Sequence, residues 1–419
     1  MRILLGPSHD LHAGVHGALT DWPAPGVNYV ERTYSMFFQH EVHTVRPFSP
    51  VHDHSQCEWF RFDDEEDVDV VHAARFPVET RLPWVVDSDC LVLPLRFGEF
   101  FGFGMHGGAS PPAEIQIRRR EAAMAARYAD ARCGRIMLRT EHAKRQFLGV
   151  LAENDLIDRR IRDILAAKTQ VVYPAVRVAP FRTKSSRRPS LLFMGRSFVD
   201  KGGFLALAVI ERLRAVHGHF FEATVVSVCS ASTKERLVSL GVEVQPITER
   251  RDYLDRLADA DIFFSPTLFE GFGIGLVEAA AAGAAIVTSC GPGMEHIGEL
   301  FENRKEAILV SNALADEARV VSYVEAIGTL IRNPDLQRTL ALNAYMLASH
   351  GRLSLERHNH DLAEIYDAAS NLDASTSASP PLRSEASSKG SGRVLIWSEQ
   401  MCHWTMRRLA TEGGLRIRV

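Results

Sequence analysis

Between residues 190 and 310 short apolar runs and helical patterns take turns along the chain, and this alternation leaves few ways to fold. LLFMG (191–195), EATVVSV (222–228), VEVQPI (242–247), IFFSP (262–266), AAIVTSC (284–290) and AILV (307–310) are too short for helices. They are also too uniformly apolar for strands wetted on one face. FLALAVIERLRAV, STKERLVSL, RRDYLDRLADA, IGLVEAAAA and MEHIGEL stand between them with helical spacing. Each strand then returns through a helix to run parallel to its predecessor, with helices on both faces of the sheet.

Residues 1–175 repeat the texture. RILLG (2–6), VNYVE (27–31), VDVVHA (68–73), RIMLRT (135–140) and QVVYP (170–174) read as strands, and helices are expected near 114–131, 141–150 and 158–168. An acidic loop, DDEEDVD (63–69), separates two of the strands. YPAVRVAPFRTKSSRRPS (173–190), rich in Pro, Ser and Arg, marks a boundary. The expected fold is α/β: two Rossmann-like units with parallel sheets, 1–175 and 176–350. Ligands of such sheets bind outside the carboxyl ends of the strands, so two facing units share one deep cleft. After Ala369 the composition shifts, and 370–392 reads as a disordered linker. Beyond it, 393–419 reads as strand, helix, strand; such a unit cannot bury its own faces, so it docks on the body or is the stub of a further domain.

Composition excludes several function classes. A chain of 419 residues with formal net charge −4 has no global attraction to nucleic acid. Its six cysteines (57, 90, 133, 229, 290 and 402) lie far apart with no CxxC pair, which points to reduced thiols in a cytoplasmic setting and away from a zinc module. MRILLGPSHD turns polar too early for a signal peptide. No run approaches the ~18 apolar residues of a membrane span. One region departs from the acidic balance: between Ile115 and Arg145 lie nine Lys/Arg residues against three acids. That excess could draw an anionic acceptor or hold the protein peripherally to a membrane; a solvated helix face accounts for it equally well.

The chemistry concentrates in FEGFGIGLVEAAAAG (269–283), directly after the strand IFFSP. Gly271, Gly273 and Gly275 let the backbone turn tightly against a ligand, and a helix from about Ile274 to Ala282 points its free N–H groups toward the cleft, where phosphate is welcome. Glu278, expected in or near the first helical turn, could accept two hydrogen bonds from a vicinal diol such as a ribose. Glu270 sits on the loop before, nearer to whatever the phosphate carries. A buried βα turn with an acid in its first turn explains the same letters, and short motifs misfire. GRSFVDKGG (195–203) tips the balance, because Arg196 and Lys201 flank a second strand-to-helix turn and together can neutralise a diphosphate. Either cation alone would be read as a solvated surface charge.

SLLFMGRSFVDKGG together with ADADIFFSPTLFEGFGIGLVEAAAAGAAIVTSCGPGMEHI resembles the donor domain of retaining GT-B glycosyltransferases, the glycogen-synthase-like group 1 or family 4 enzymes. The resemblance covers about 170–369, and its specific part is an arginine–lysine pair followed by Glu-x7-Glu. It implies transfer of a hexosyl unit from a nucleotide diphosphate sugar to an acceptor hydroxyl with retention, without cofactor or metal. Arg196 and Lys201 would then bind the diphosphate, Glu278 the ribose, Glu270 the sugar hydroxyls, and the amides around Gly273, Ile274 and Gly275 sugar and phosphate. The segment 351–369 looks like the helix that returns to the first domain. In that domain VDVVHA resembles the strand whose histidine, here His72, borders the donor sugar; a core histidine at a strand end explains it as well. The glycine turn that the family carries after its first strand is reduced here to Gly14 and Gly17.

Other signals are weaker. GFGMHG (102–107) matches a dinucleotide motif, yet Pro111 and Pro112 interrupt any helix it would open. The phenylalanines at 97, 100, 101 and 103 could wall an acceptor pocket, though core aromatics are commoner. His9, His12 and His16 lack a convincing third metal ligand, and Asp67 and Asp69 end a solvated acidic run. Three other functions stay open at this level: a nucleotide-sugar epimerase of the same fold, a non-catalytic nucleotide-sugar binding protein, and an NAD-dependent oxidoreductase.

Overall fold

A computed structural model describes residues 1–8, 11–38, 42–45, 57–88, 114–181, 188–246, 249–267 and 270–372. His9, the segment 89–113 with its phenylalanines and GFGMHG, and everything after 372 lie outside the described residues.

Two six-stranded parallel sheets form the frame. The first contains β1 (Arg2–Gly6), β2 (Asn28–Val30), β6 (Val70–Ala74), β7 (Trp84–Ser88), β8 (Cys133–Leu138) and β9 (Thr169–Val171), in the order β2-β1-β6-β7-β8-β9. The second contains β10 (Ser190–Ser197), β11 (Glu222–Val228), β12 (Glu243–Gln245), β13 (Ile262–Ser265), β14 (Ala285–Cys290) and β15 (Ala307–Ser311), in the order β12-β11-β10-β13-β14-β15. Both are doubly wound. The order reverses between β1 and β6 in one and between β10 and β13 in the other, the places where such sheets open a crevice.

Alternation within the strands builds a core on each face. Leu4, Val71, Val86 and Ile136 face one way, into a cluster with residues of α2 (Glu114–Tyr128), α3 (Glu141–Glu153) and α4 (Arg159–Lys168). Their neighbours Ile3, Val70, Val85 and Met137 face the other way. In the second sheet Phe264 and Val287 oppose Phe263 and Ile286 in the same manner.

The first unit carries an element that the sequence does not announce. β3 (Tyr34–Phe38), β4 (Val42–Val45) and β5 (Cys57–Phe62) form a separate antiparallel sheet inserted between β2 and β6. Tyr34, Phe60 and Phe62 are buried from it into the first core. β7 was also unannounced, because Pro83 and the acid at 87 shorten its apolar run to WVV.

Twelve helices are present among the described residues. Of those in the second unit, α5 (Gly203–His217) follows β10, α6 (Ala231–Ser239) follows β11, and α7 (Arg250–Asp259) precedes β13. α8 (Ile274–Ala281) then follows β13 and α9 (Glu295–Leu300) follows β14. α10 (Asp316–Arg332) and α11 (Pro334–Ser349) complete that unit. α12 (Leu355–Ser370), capped by Ser354, then crosses to the first sheet. Its Leu362, Ile365, Tyr366 and Ala369 pack with Ile3, Val70 and Val85.

Glu299 on α9 ties the units together. Its carboxylate accepts the N–H groups of Glu141 (2.5 Å) and His142 (2.9 Å) at the start of α3, and the Tyr173 hydroxyl at 2.6 Å. A carboxylate at a helix N-terminus satisfies orphan donors and opposes the positive dipole end. In the basic region 115–145, Arg118, Arg132 and Arg139 are committed to Asp155, Asp130 and Asp87, so the surface excess is smaller than the letters suggest.

Gly202, between β10 and α5, has φ +75° and lies so close to the Pro266 carbonyl oxygen that no Cβ fits. Gly149 inside α3 has open space around it. Gly202→Ala is expected to lower the melting temperature by several degrees, corresponding to about 2 kcal/mol or more. Gly149→Ala is expected to raise stability by about 0.5–1 kcal/mol through helix propensity. Thermal denaturation of both variants beside the parent checks the pair.

Candidate functional site

The crevice between β10 and β13 gathers the residues singled out from the sequence. β10 ends at Ser197, and the chain turns through Lys201 into α5. β13 ends at Ser265 and leads to Glu270. The Lys201 ammonium lies 2.6 Å from Glu270 Oε2, with both side chains about a quarter to a third exposed (32% and 22%). Arg196 is on β10 at the same end; its side chain lies outside the described residues. Gly273 immediately precedes α8, so the Ile274 and Gly275 amides belong to the unpaired first turn facing this end of the sheet.

Glu278 sits one full turn inside α8, and the first turn holds no acid. It was expected in or near the first turn and lies just beyond it. Its charge is therefore supported by side chains more than by the helix end, whose effect fades within a turn. Glu278 is 3% exposed. Its Oε2 accepts the Tyr253 hydroxyl at 2.6 Å, and Arg250 rests against Oε1. The Arg250 contact is a charge pair without hydrogen-bond alignment. Burial, reinforced by Glu278, pushes the Tyr253 hydroxyl well above its usual range, so it stays a donor.

The first unit reaches this point through the loop after β1. A Cβ on Gly14 would lie 2.7 Å from Glu278 Oε1 and 3.1 Å from Ile274 Cγ1. Only a glycine lets that backbone rest on the carboxylate. Two residues on, His16 begins α1 (His16–Asp21) and turns into a buried polar cluster. The His12 N–H donates to His16 Nδ1 (2.7 Å), which leaves the proton on Nε2, 3.2 Å from Asp87 Oδ1. Arg139 Nη2 donates to Asp87 Oδ2 at 3.0 Å. His72 is 1% exposed, with Nδ1 2.6 Å from the Tyr366 hydroxyl and Nε2 3.5 Å from Asp87. Tyr29 extends the chain to Tyr366 at 3.0 Å. Burial would push the Asp87 carboxyl up, but His16, His72 and Arg139 together hold it well below the usual range. Burial lowers the His16 imidazole, so it is neutral.

The structure thus brings Lys201, Glu270, Gly273, Ile274, Gly275, Glu278 and Gly14 to one place, and puts His72 with Asp87, His16 and Tyr366 on the first-unit side. Arg250, Tyr253 and Asp87 had not been singled out. An acid closing the run WVVD was the only hint of Asp87, and nothing in RRDY ties it to a glutamate 25 residues on. Among the described residues no group of three or more His, Cys, Asp or Glu could hold a metal ion, and no helix is long and apolar enough to cross a membrane.

Residues 188–333 match the family model described as glycosyl transferases group 1, which covers most of the second unit and about a third of the chain. A comparison with curated proteins found no match. Among solved structures, HepE from Anabaena, in complex with UDP and glucose, is similar with TM-score 0.53 and 15% identity over 88% of this chain and 99% of that one. WaaG, a glycosyltransferase involved in lipopolysaccharide biosynthesis, is similar with TM-score 0.53 and 15% identity over 87% and 99%. A glycosyltransferase from Rickettsia africae reaches TM-score 0.51 and 15% identity over 73% and 78%. At such identity these likenesses show the fold, which is GT-B: two parallel-sheet α/β domains facing across a cleft.

Two histidines near the cleft are buried and neutral. Burial, with His142 adding, pushes His296 down to about 4, and burial pushes His358 down to about 4. Both values lie below the unfolded histidine, so the unfolded chain takes up protons first as pH falls. Stability should drop progressively from about pH 6.5 toward 4, on the order of 3 kcal/mol per histidine. Neither ring nitrogen of His296 has a hydrogen-bond partner among the described residues. His296→Leu should therefore shrink the difference in melting temperature between pH 7.5 and pH 5; an undiminished difference would refute this assignment.

Proposed function

We propose that the protein is a glycosyltransferase that moves a hexosyl unit from a nucleotide diphosphate sugar to an acceptor hydroxyl with retention of configuration. One observation carries the reading: the Lys201–Glu270 pair, the mouth of α8 and the buried Glu278 converge at the switch point of the second sheet, under a loop of the facing unit. The match of residues 188–333 to the group 1 model supports it, as does the fold shared with HepE, whose structure holds UDP and glucose.

In this reading Lys201 and Arg196 take the diphosphate, and Glu278 accepts the ribose hydroxyls. Glu270, freed in part from Lys201, accepts hydroxyls of the sugar, while the Ile274 and Gly275 amides face sugar and phosphate. The bond between the anomeric carbon and the β-phosphate oxygen breaks. The acceptor oxygen bonds to that carbon on the same face, and its proton passes to the departing diphosphate. Lys201, Arg196 and the helix mouth stabilise the charge that grows on the leaving group, so the reaction needs no metal. The rigid Asp87 cluster, including His72, shapes the acceptor-side wall. Closure of the two units expels water that would otherwise hydrolyse the donor.

Thermal shift with UDP, GDP, ADP and dTDP and their sugars tests the donor. One nucleotide should raise the melting temperature by mass action. Lys201→Ala should weaken its binding roughly 10- to 100-fold, the worth of a charge-assisted hydrogen bond of about 1.5–3 kcal/mol. Absence of any shift in the parent protein would sink the proposal. Release of free nucleotide diphosphate with an altered sugar and no acceptor would redirect it to an epimerase.

A further inference from the structure

We infer that Arg250 is an exchangeable counter-ion of Glu278, which the ligand's vicinal diol must displace, and that Tyr253 is the positioning residue that keeps Glu278 in place while it happens. The inference rests on the nucleotide-sugar reading above and goes beyond it, to how affinity for the diol is set.

The two partners of Glu278 differ in kind. Tyr253 is half-buried against the second core, and its hydroxyl makes a 2.6 Å hydrogen bond to Oε2. Gly275 keeps α8 close, since a Cβ there would already lie 3.3 Å from that hydroxyl. That bond fixes one of the two carboxylate oxygens and limits how far the group can turn to follow a ligand. Arg250 is the first residue of α7, its side chain is 40% exposed, and its contact with Oε1 lacks hydrogen-bond alignment. The guanidinium also rests 5.3 Å from the centre of the Tyr253 ring, a second favourable position that survives loss of the carboxylate contact.

Physical necessity explains why a cation is there at all. A carboxylate this buried is costly without a partner. Oε1 faces the Gly14 backbone of the other unit, which brings no charge of its own to it. Arg250 neutralises the site while it is empty. A ribose diol brings two O–H donors to the same carboxylate and makes the arginine dispensable. Displacing it subtracts from the affinity gained through the diol, so the protein discriminates diol from non-diol ligands less sharply than a bare carboxylate would.

The test compares UDP with 2′,3′-dideoxy-UDP by calorimetry at pH 8, with the matching GDP and ADP pairs if UDP does not bind. The readout is the ratio of dissociation constants, dideoxy over ribo. Arg250→Met retains the aliphatic stem and should raise the ratio threefold or more. Tyr253→Phe should lower it toward one, because Glu278 loses its fixed orientation. A ratio unchanged or reduced in Arg250→Met, or unchanged in Tyr253→Phe, overturns the inference while leaving the donor site intact. Failure of the parent protein to bind any of the pairs overturns the functional reading itself.

Discussion

The contact of the Gly14 backbone with the Glu278 carboxylate is the constraint on which the cleft depends. It joins a loop of one sheet to a helix of the other at the carboxyl ends of both. A side chain at that position would meet the carboxylate oxygen 2.7 Å away and push the carboxylate from its place. With glycine there, the loop after β1 of the first unit lies against α8 of the second.

Polar groups buried on either side of this contact are stiffened by different means. On the first-unit side, Asp87 is surrounded by His16, His72 and Arg139, and the tautomer of His16 is set by the His12 amide. On the second-unit side, Glu278 has one hydrogen-bonded partner, Tyr253, and one charge partner, Arg250. The first arrangement suits a wall that must not move. The second suits a group that changes partners. Glu299 supplies the remaining tie, capping α3 from α9 and gathering Tyr173 from the segment between the units.

Much of the second unit could be read directly. Its strands are buried on both faces, so they appear as unbroken apolar runs, and the glycines and charges between them stand out. The first unit was read less completely. The inserted sheet of β3, β4 and β5 mixes aromatic and polar residues, as strands packed on one face do, and its pattern does not separate from a loop. Glu278 was found as a residue near the start of a helix expected from about Ile274, and the structure sets it just beyond the first turn of that helix, behind Gly273 with its φ of +93°.

The letters alone determined the doubly wound class, the two parallel sheets, and the meeting of Lys201 with the acid at 270, because these depend on local periodicity and on residue types at the ends of neighbouring strands. Only the tertiary structure decided that Tyr253 and Arg250 attend Glu278, that Gly14 lies on it, and that His16 and His72 share Asp87. Those pairings join residues from separate strands and helices. Their geometry follows from how sheets twist and helices pack, and no spacing along the chain encodes it.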